Sequence, residues 1–277
     1  MSSSGRRERR HRSNAIQLER LSGQHVIGAA LAAGRRRFHR LLIRHGEVRD
    51  DVAALVDLAR SMKIPIESME GRALADLAET EDVGFQGLVL EAGPLPVLDR
   101  PESLFDPESV SGERRARWLV ALDGVEDPRN LGAIARVAES AGAVGLLVTD
   151  RRSPPLGPVA SRASAGALEW LPVCRVPNLS RALDSLKKAG VWVVAADTDA
   201  TDTLFGLPDR LLSGDLVVVL GAEGRGLRPS IRDQVDHPVR IPMLGRTESL
   251  NVSTAAAVIL YELVRRSGEV GLDVGAP

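Results

Sequence analysis

Three segments of this 277-residue chain carry residue types at spacings that could do chemistry. They are Asn130-Leu-Gly132-Ala-Ile-Ala-Arg136, Gly221-Ala-Glu223-Gly224-Arg-Gly226-Leu227, and Ile241-Pro-Met243-Leu-Gly-Arg-Thr-Glu-Ser249-Leu250-Asn251-Val-Ser253. Each lies where a hydrophobic strand pattern gives way to a loop or a helix start, which is where open α/β sheets gather their ligand-binding atoms. A small-molecule site is the expectation.

The three glycines of the second segment let a backbone turn sharply and approach a ligand closely. Glu223 among them would repel a pyrophosphate. A dinucleotide fingerprint would need its glycines after the first strand, and no Walker A sequence is present. A ligand with hydroxyls, an adenine edge and a positive centre suits the loop better, and S-adenosylmethionine is such a molecule. In the third segment Ser249, Asn251 and Ser253 crowd the start of a helix whose apolar stripe is Val252, Ala256, Ile259 and Leu263, with Gly268 as its stop. A capped helix needs only one of those three polar residues.

Asn130 and Arg136 stand six residues apart, about 240° around a helix. They meet at one site only if Asn130 sits in the loop or first turn and Arg136 reaches back. Asp127-Pro128 is a rival start for the same helix. An Arg on a mostly apolar helix favours function, because its planar fork can hold a substrate phosphate in a two-pronged grip.

The elements that must position these residues read as two units. Between Gln24 and Ala92 the pattern predicts a helix over His25 to Ala33, a short strand at Leu41 to Ile43 and an amphipathic helix over Asp50 to Met62. A strand at Ile64 to Ile66, a helix over Gly71 to Ala78 and a strand at Gly87 to Leu90 follow. Pro94, Pro96, Pro101 and Pro107 among acidic and small residues make 93–115 a linker that resists helix and sheet. Beyond it, apolar strand runs at Trp118 to Leu122, Gly145 to Thr149, Val191 to Ala196 and Leu216 to Leu220 alternate with helices. These helices cover Leu131 to Ala141, Leu179 to Ala189 and Val252 to Arg266, so a parallel sheet covered on both faces is expected. The division is a basic arm at 1–13, a small α/β domain at 14–92, the linker, and an α/β domain at 116–277.

Charge and composition set the class. The net charge of −1 conceals a polarity: residues 1–49 hold twelve Arg against three Glu, +9, which leaves −10 on the other 228 residues. A basic end of that kind marks a polyanion partner, nucleic acid first. Arg35, Arg36, Arg37, His39 and Arg40 cluster between the first helix and strand with no acid among them and are expected to contact phosphates. The arm Arg6-Arg-Glu-Arg-Arg-His-Arg12 lacks apolar periodicity and reads as a disordered segment, either solvated or grasping RNA. No apolar run approaches the ~18 to 20 residues of a membrane span. The lone Cys174 reads as a packed strand residue, and no Cys/His cluster has zinc spacing, so neither membrane nor metal is expected.

At these residues the chain resembles the SPOUT superfamily, in particular the SpoU (TrmH-type) RNA ribose 2′-O-methyltransferases. The three motifs match in identity, order and spacing from Asp127 to Glu262, and Pro155-Leu-Gly-Pro-Val-Ala-Ser-Arg-Ala-Ser-Ala-Gly166 is also similar. The N-terminal region ending in Gln86-Gly-Leu-Val resembles the substrate-binding domain of the subgroup that modifies a guanosine in large-subunit (23S-type) ribosomal RNA. The resemblance implies a SPOUT-type sheet with a C-terminal trefoil knot and a pair of subunits. It implies that Gly221, Ile241 and Leu250, with Val219, Met243 and Ser253 beside them, hold S-adenosylmethionine. It further implies a reaction centre of Asn130, Arg136, Glu223, Ser249 and Asn251. The activity expected is a cytosolic methyl transfer to a ribose 2′-hydroxyl near the peptidyl-transferase centre. The alternatives are a transfer RNA or resistance-conferring site, or a ribosome-assembly factor that binds RNA without turnover. A nicotinamide-dependent oxidoreductase fails on the missing first-strand glycines.

Overall fold

The computed structural model describes residues 18–46, 50–78, 87–105 and 116–267. The arm at 1–13, Gln86, Pro107 and the helix stop at Gly268 lie outside them. The strands form two sheets, of four and six strands.

The four-stranded sheet has the order β1-β4-β2-β3, with β1 at Glu19–Ser22, β2 at Phe38–Arg44, β3 at Ile66–Met69 and β4 at Leu88–Ala92. Strand β4 runs antiparallel to both β1 and β2, whereas β2 and β3 are parallel. Alternation along the strands sorts the core: Leu41, Leu88 and Leu90 pack with the helices α1 (Gln24–Ala33) and α2 (Asp50–Ser61). Leu42 and Val89 point the other way, onto Leu74 of α3 (Gly71–Leu77). The strand expected at Ile64 to Ile66 begins instead at Ile66, because Pro65 supplies no amide to a ladder.

All six strands of the second sheet are parallel, in the order β10-β8-β9-β5-β6-β7. They are β5 (Trp118–Asp123), β6 (Gly145–Thr149), β7 (Val173–Val176), β8 (Trp192–Ala196), β9 (Leu216–Gly221) and β10 (His237–Val239). Trp118, Val120, Leu146, Val194 and Val218 face a core shared with α4 (Pro128–Ser140) and α10 (Val252–Arg266). Leu119, Leu147, Cys174, Val193, Val217 and Val219 face a second core completed by α7 (Leu179–Lys188) and Ile231 of α9 (Pro229–Arg232). Both faces are covered, as the continuous apolar runs require. The short helices α5 (Pro158–Ala163), α6 (Ala167–Trp170) and α8 (Asp209–Leu212) complete the set.

Two readings are corrected here. Part of the linker is built into the second domain: Leu98 bridges to Cys174 at the edge of β7, and a 3-10 turn at Pro101–Phe105 buries Leu104 and Phe105. The helix α4 starts at Asp127, whose carboxylate accepts from the Arg129 amide at 2.8 Å with Pro128 in the first turn. Asn130 is therefore inside the helix.

Candidate active site at the strand ends

The chain fills β5, β6 and β7 in one direction, then returns to place β8, β9 and β10 on the other side of β5. A crevice at the carboxyl ends beside such a reversal is the usual ligand position. Here it is a cleft of about 600 Å³ lined from Ala196 to Asp199 after β8, Leu220 to Gly224 after β9, Val239 to Ile241 after β10, and Glu248 to Leu250 before α10.

The loop after β9 depends on a glycine. A Cβ on Gly221 would lie 2.5 Å from the carbonyl carbon of Gly226 and 2.9 Å from the Leu227 amide, so the backbone crosses itself only because that side chain is absent. Ala222 accepts from the Gly226 amide at 2.9 Å, and Gly224 and Gly226 take positive φ of 72° and 62°. Asp123, buried at the end of β5, anchors the far side by accepting from the Arg228 amide at 2.8 Å and from its guanidinium. Glu223 is thereby held at the mouth.

Asn251 caps α10: its Oδ1 accepts from the Ser253 amide at 2.9 Å and from the Ser253 hydroxyl at 2.6 Å. That use of the oxygen leaves Nδ2 to donate to Glu223 Oε1 and, at 3.2 Å, to Asn130 Oδ1. Asn130 Nδ2 donates in turn to Glu223 Oε1 at 3.1 Å. Residues separated by 93, 121 and 28 positions thus close one polar triangle. Gly132 lets this happen, because a Cβ there would meet the Ala160 carbonyl at 2.5 Å and push α4 off α5.

Of the residues expected at a cofactor, Gly221, Ile241, Met243 and Leu250 line the cleft, together with Glu223 and Ser249. Val219 does not. It is fully buried in the α7-side core, since its side chain alternates away from Leu220, which does line the cleft. Ser253 lies off the lining and serves the cap. Arg136 is exposed on α4 and makes no hydrogen bond or ion pair among the described residues. Asn130 is the third residue of α4, within its first turn, the placement from which Arg136 can reach back toward the same site. Asp197 to Asp199, Arg240, Glu248 and Ala255 also line the cleft and were missed. An acidic Asp-Thr-Asp directly after a buried strand run was the available signal.

The arginine cluster is corrected more fully. Arg36 is buried between Glu169 and Glu19, Arg35 donates to the Glu169 and Leu171 carbonyls, and Arg40 pairs with Glu91 and Glu67. Only Arg37 and His39 of that run stay exposed. Burial and the nearby Glu102 and Asp99 carboxylates push the Cys174 thiol up to about 12, which removes it as a nucleophile.

The cleft fits S-adenosylmethionine. Leu220, Val239, Ile241, Leu250 and Val252 give an apolar floor for an adenine ring, and the Glu223, Asp197 and Asp199 carboxylates offer partners for a positive centre and for hydroxyls. Among the described residues no group of three or more His, Cys, Asp or Glu is placed to hold a metal.

Residues 117–261 match the SpoU rRNA Methylase family, and residues 20–97 match a family described as RNA 2′-O ribose methyltransferase substrate binding. The chain is 36% identical over 250 residues to the 23S rRNA (guanosine-2′-O-)-methyltransferase RlmB of Pseudomonas aeruginosa, covering 90% of this chain and 97% of that one. It is 34% identical over 248 residues to RlmB of Vibrio cholerae, with coverages of 90% and 97%. Among solved structures, the SpoU methyltransferase AviRb from Streptomyces viridochromogenes in complex with the cofactor AdoMet superposes with a TM-score of 0.74 at 26% identity, covering 89% of each chain. By this match over residues 117–261 and by its identity to those relatives, the chain belongs to the SpoU rRNA methylase family.

Proposed function

We propose that this protein transfers a methyl group from S-adenosylmethionine to the ribose 2′-hydroxyl of a guanosine in 23S ribosomal RNA, in the peptidyl-transferase region. The observation that carries the reading is the Asn130–Glu223–Asn251 triangle at the mouth of the strand-end cleft, in a chain 36% identical to a guanosine 2′-O-methyltransferase of that RNA.

When bound, S-adenosylmethionine would supply an electrophilic methyl on a sulfonium to the ribose oxygen, with the hydroxyl proton passing to solvent. The protein's work is alignment, worth up to about 7 to 11 kcal/mol when the geometry is right. Gly221, Ile241, Met243 and Leu250 hold the cofactor. Ser249 and Asn251 orient the ribose hydroxyl, and Glu223 fixes the Asn130 and Asn251 amides so that neither rotates when substrate enters. Arg136, exposed and without an ion pair among the described residues, grips the substrate phosphate and steadies the developing oxyanion. Replacing Arg136 with Lys should then lower turnover sharply, since a point charge lacks the fork. Near-normal turnover removes that role.

Residues 14–92 form the rRNA-binding domain and 116–277 the catalytic domain, a division supported by the two separate sheets. In support of a C-terminal trefoil knot, the chain runs from the edge strand β10 back across the sheet to pack α10 on α4. Leu244, 99% exposed, and Tyr261, 51% exposed, are apolar surfaces that a second copy would cover, in support of a homodimer. A sizing measurement that returns a monomer at working concentration removes the dimer. No helix among the described residues is long and apolar enough to cross a membrane, in keeping with work in the cytoplasm.

Mapping ribose methylation on ribosomal RNA from cells with and without the protein tests the reading. One 23S guanosine should lose its 2′-O-methyl group when the protein is absent. An unchanged map overturns the assignment.

A further inference from the structure

Arg36 has no exposed side-chain surface, and its donors are divided between the two domains. Toward the first domain, Nη1 donates to Glu19 Oε2 at 2.6 Å and to the Gly93 carbonyl at 3.0 Å. Toward the second, Nε and Nη2 hold both oxygens of Glu169 at 2.7 and 2.9 Å, and Nη2 reaches Ser161 Oγ at 3.3 Å. The Glu169 side chain is 1% exposed. Burial alone would pull the Arg36 guanidinium down, but its bonds to Glu169 and Glu19 outweigh that and hold it above its ordinary value.

Further contacts fasten the first domain and the linker to the second. Arg35 Nη1 donates to the carbonyls of Glu169 and Leu171, each at 3.1 Å. At Gly166 a Cβ would come 2.6 Å from Ala29 Cβ and 3.0 Å from the His25 carbonyl, so α1 rests directly on the turn that enters α6. The chain after the first domain is also fastened down: Leu98 donates to the Val173 carbonyl at 2.8 Å and accepts from the Arg175 amide at 2.7 Å.

We propose that the Arg36–Glu169 pair is a clamp that locks the RNA-binding domain onto the catalytic domain of the same chain, making these two side chains positioning residues for the rRNA. A buried ion pair contributes little net stability compared with apolar packing of the same volume, because desolvation offsets the attraction. What a two-pronged fork supplies in addition is orientation. RNA held by the first domain then presents its ribose at a fixed distance and angle from the cleft, without the ordering cost that a loose tether would incur at each encounter. The RNA part of this inference rests on the methyl-transfer reading.

The test uses the full chain with Arg36 and both of its carboxylate partners replaced, Arg36→Met with Glu169→Met and Glu19→Gln, which leaves no unpaired charge. This variant should bind S-adenosylmethionine like the wild type, showing a folded catalytic domain. Its small-angle scattering should show a larger radius of gyration, and its KM for a 23S rRNA fragment should rise by roughly tenfold with kcat little changed, the pattern of lost substrate binding. A folded variant with the wild-type scattering profile overturns the clamp. So does a wild-type KM. Expanded scattering in the variant, together with a wild-type protein that does not methylate rRNA, upholds the clamp and defeats the activity assignment instead.

Discussion

The arginine cluster between α1 and β2 and the polar triangle at the cleft use similar side chains in opposite settings. In the cluster, Arg35, Arg36 and Arg40 spend their donors on carboxylates and carbonyls of this same chain, and Glu91, which receives Arg40 and Arg20, is only 5% exposed. Of that run only Arg37 and His39 remain exposed. In the triangle, Glu223 and Asn251 are exposed, and the groups that hold them are a helix cap and a glycine loop. The first arrangement fixes domains in place, and the second presents polar atoms to a cavity. Partner saturation and burial, not residue type, separate a structural cluster from a reactive one.

The sharpest way to break this contrast is to remove one member of each. Truncating Arg36 to Ala leaves Glu169 buried without its cation, and chemical denaturation should show a loss of about 3 to 5 kcal/mol. A loss below about 1 kcal/mol, the range of exposed pairs, would place Arg36 with the surface arginines after all. Glu223→Ala should do the reverse. With the carboxylate that receives both amides gone and Asn130 Nδ2 left without its acceptor, methyl transfer should fall by about 100-fold, the scale of a displacement near 1 Å, while the melting temperature stays close to the wild type.

Acid sharpens the comparison at a smaller scale. Burial pushes the Glu91 carboxyl up, but its bonds to Arg40 and Arg20 prevail and hold it below its ordinary value of 4.5. Glu262, drawn down first by its bonds to Arg265, behaves the same way. A carboxylate with a depressed folded-state value contributes stability that is complete above its unfolded value and is lost as pH falls through the folded one. Denaturation midpoints should therefore be flat from neutral pH to about 5 and fall below about 4.5, and Glu91→Gln should flatten part of that fall. An acid slope identical in the variant excludes Glu91 from it.

Much of the scaffold was legible from periodicity. Val252–Arg266 and Gly145–Thr149 are found as expected, because each is a long or fully apolar pattern bounded by clear signals. The strand β1 was not, since Glu-Arg-Leu-Ser has no apolar alternation and its pairing partner β4 lies about 70 residues away. Strand β10 hides behind Pro238, which is tolerated because the strand is at the sheet edge. The site divided similarly: Ser249, Asn251 and Ser253 stood out as more polar residues than a cap needs, and Glu223 as a carboxylate in a glycine loop. The fate of Arg36 was invisible, because its partner Glu169 is 133 positions away and only tertiary packing brings them together.

The account turns on whether the cleft at the ends of β8, β9 and β10 takes the methyl donor. Titration calorimetry of S-adenosylmethionine into the full chain measures this directly. One saturable binding event should appear in the wild type and vanish in Leu250→Arg, which puts bulk and charge on the cleft wall while the protein keeps its wild-type melting. Absence of binding in the wild type, or undiminished binding in Leu250→Arg, contradicts the account.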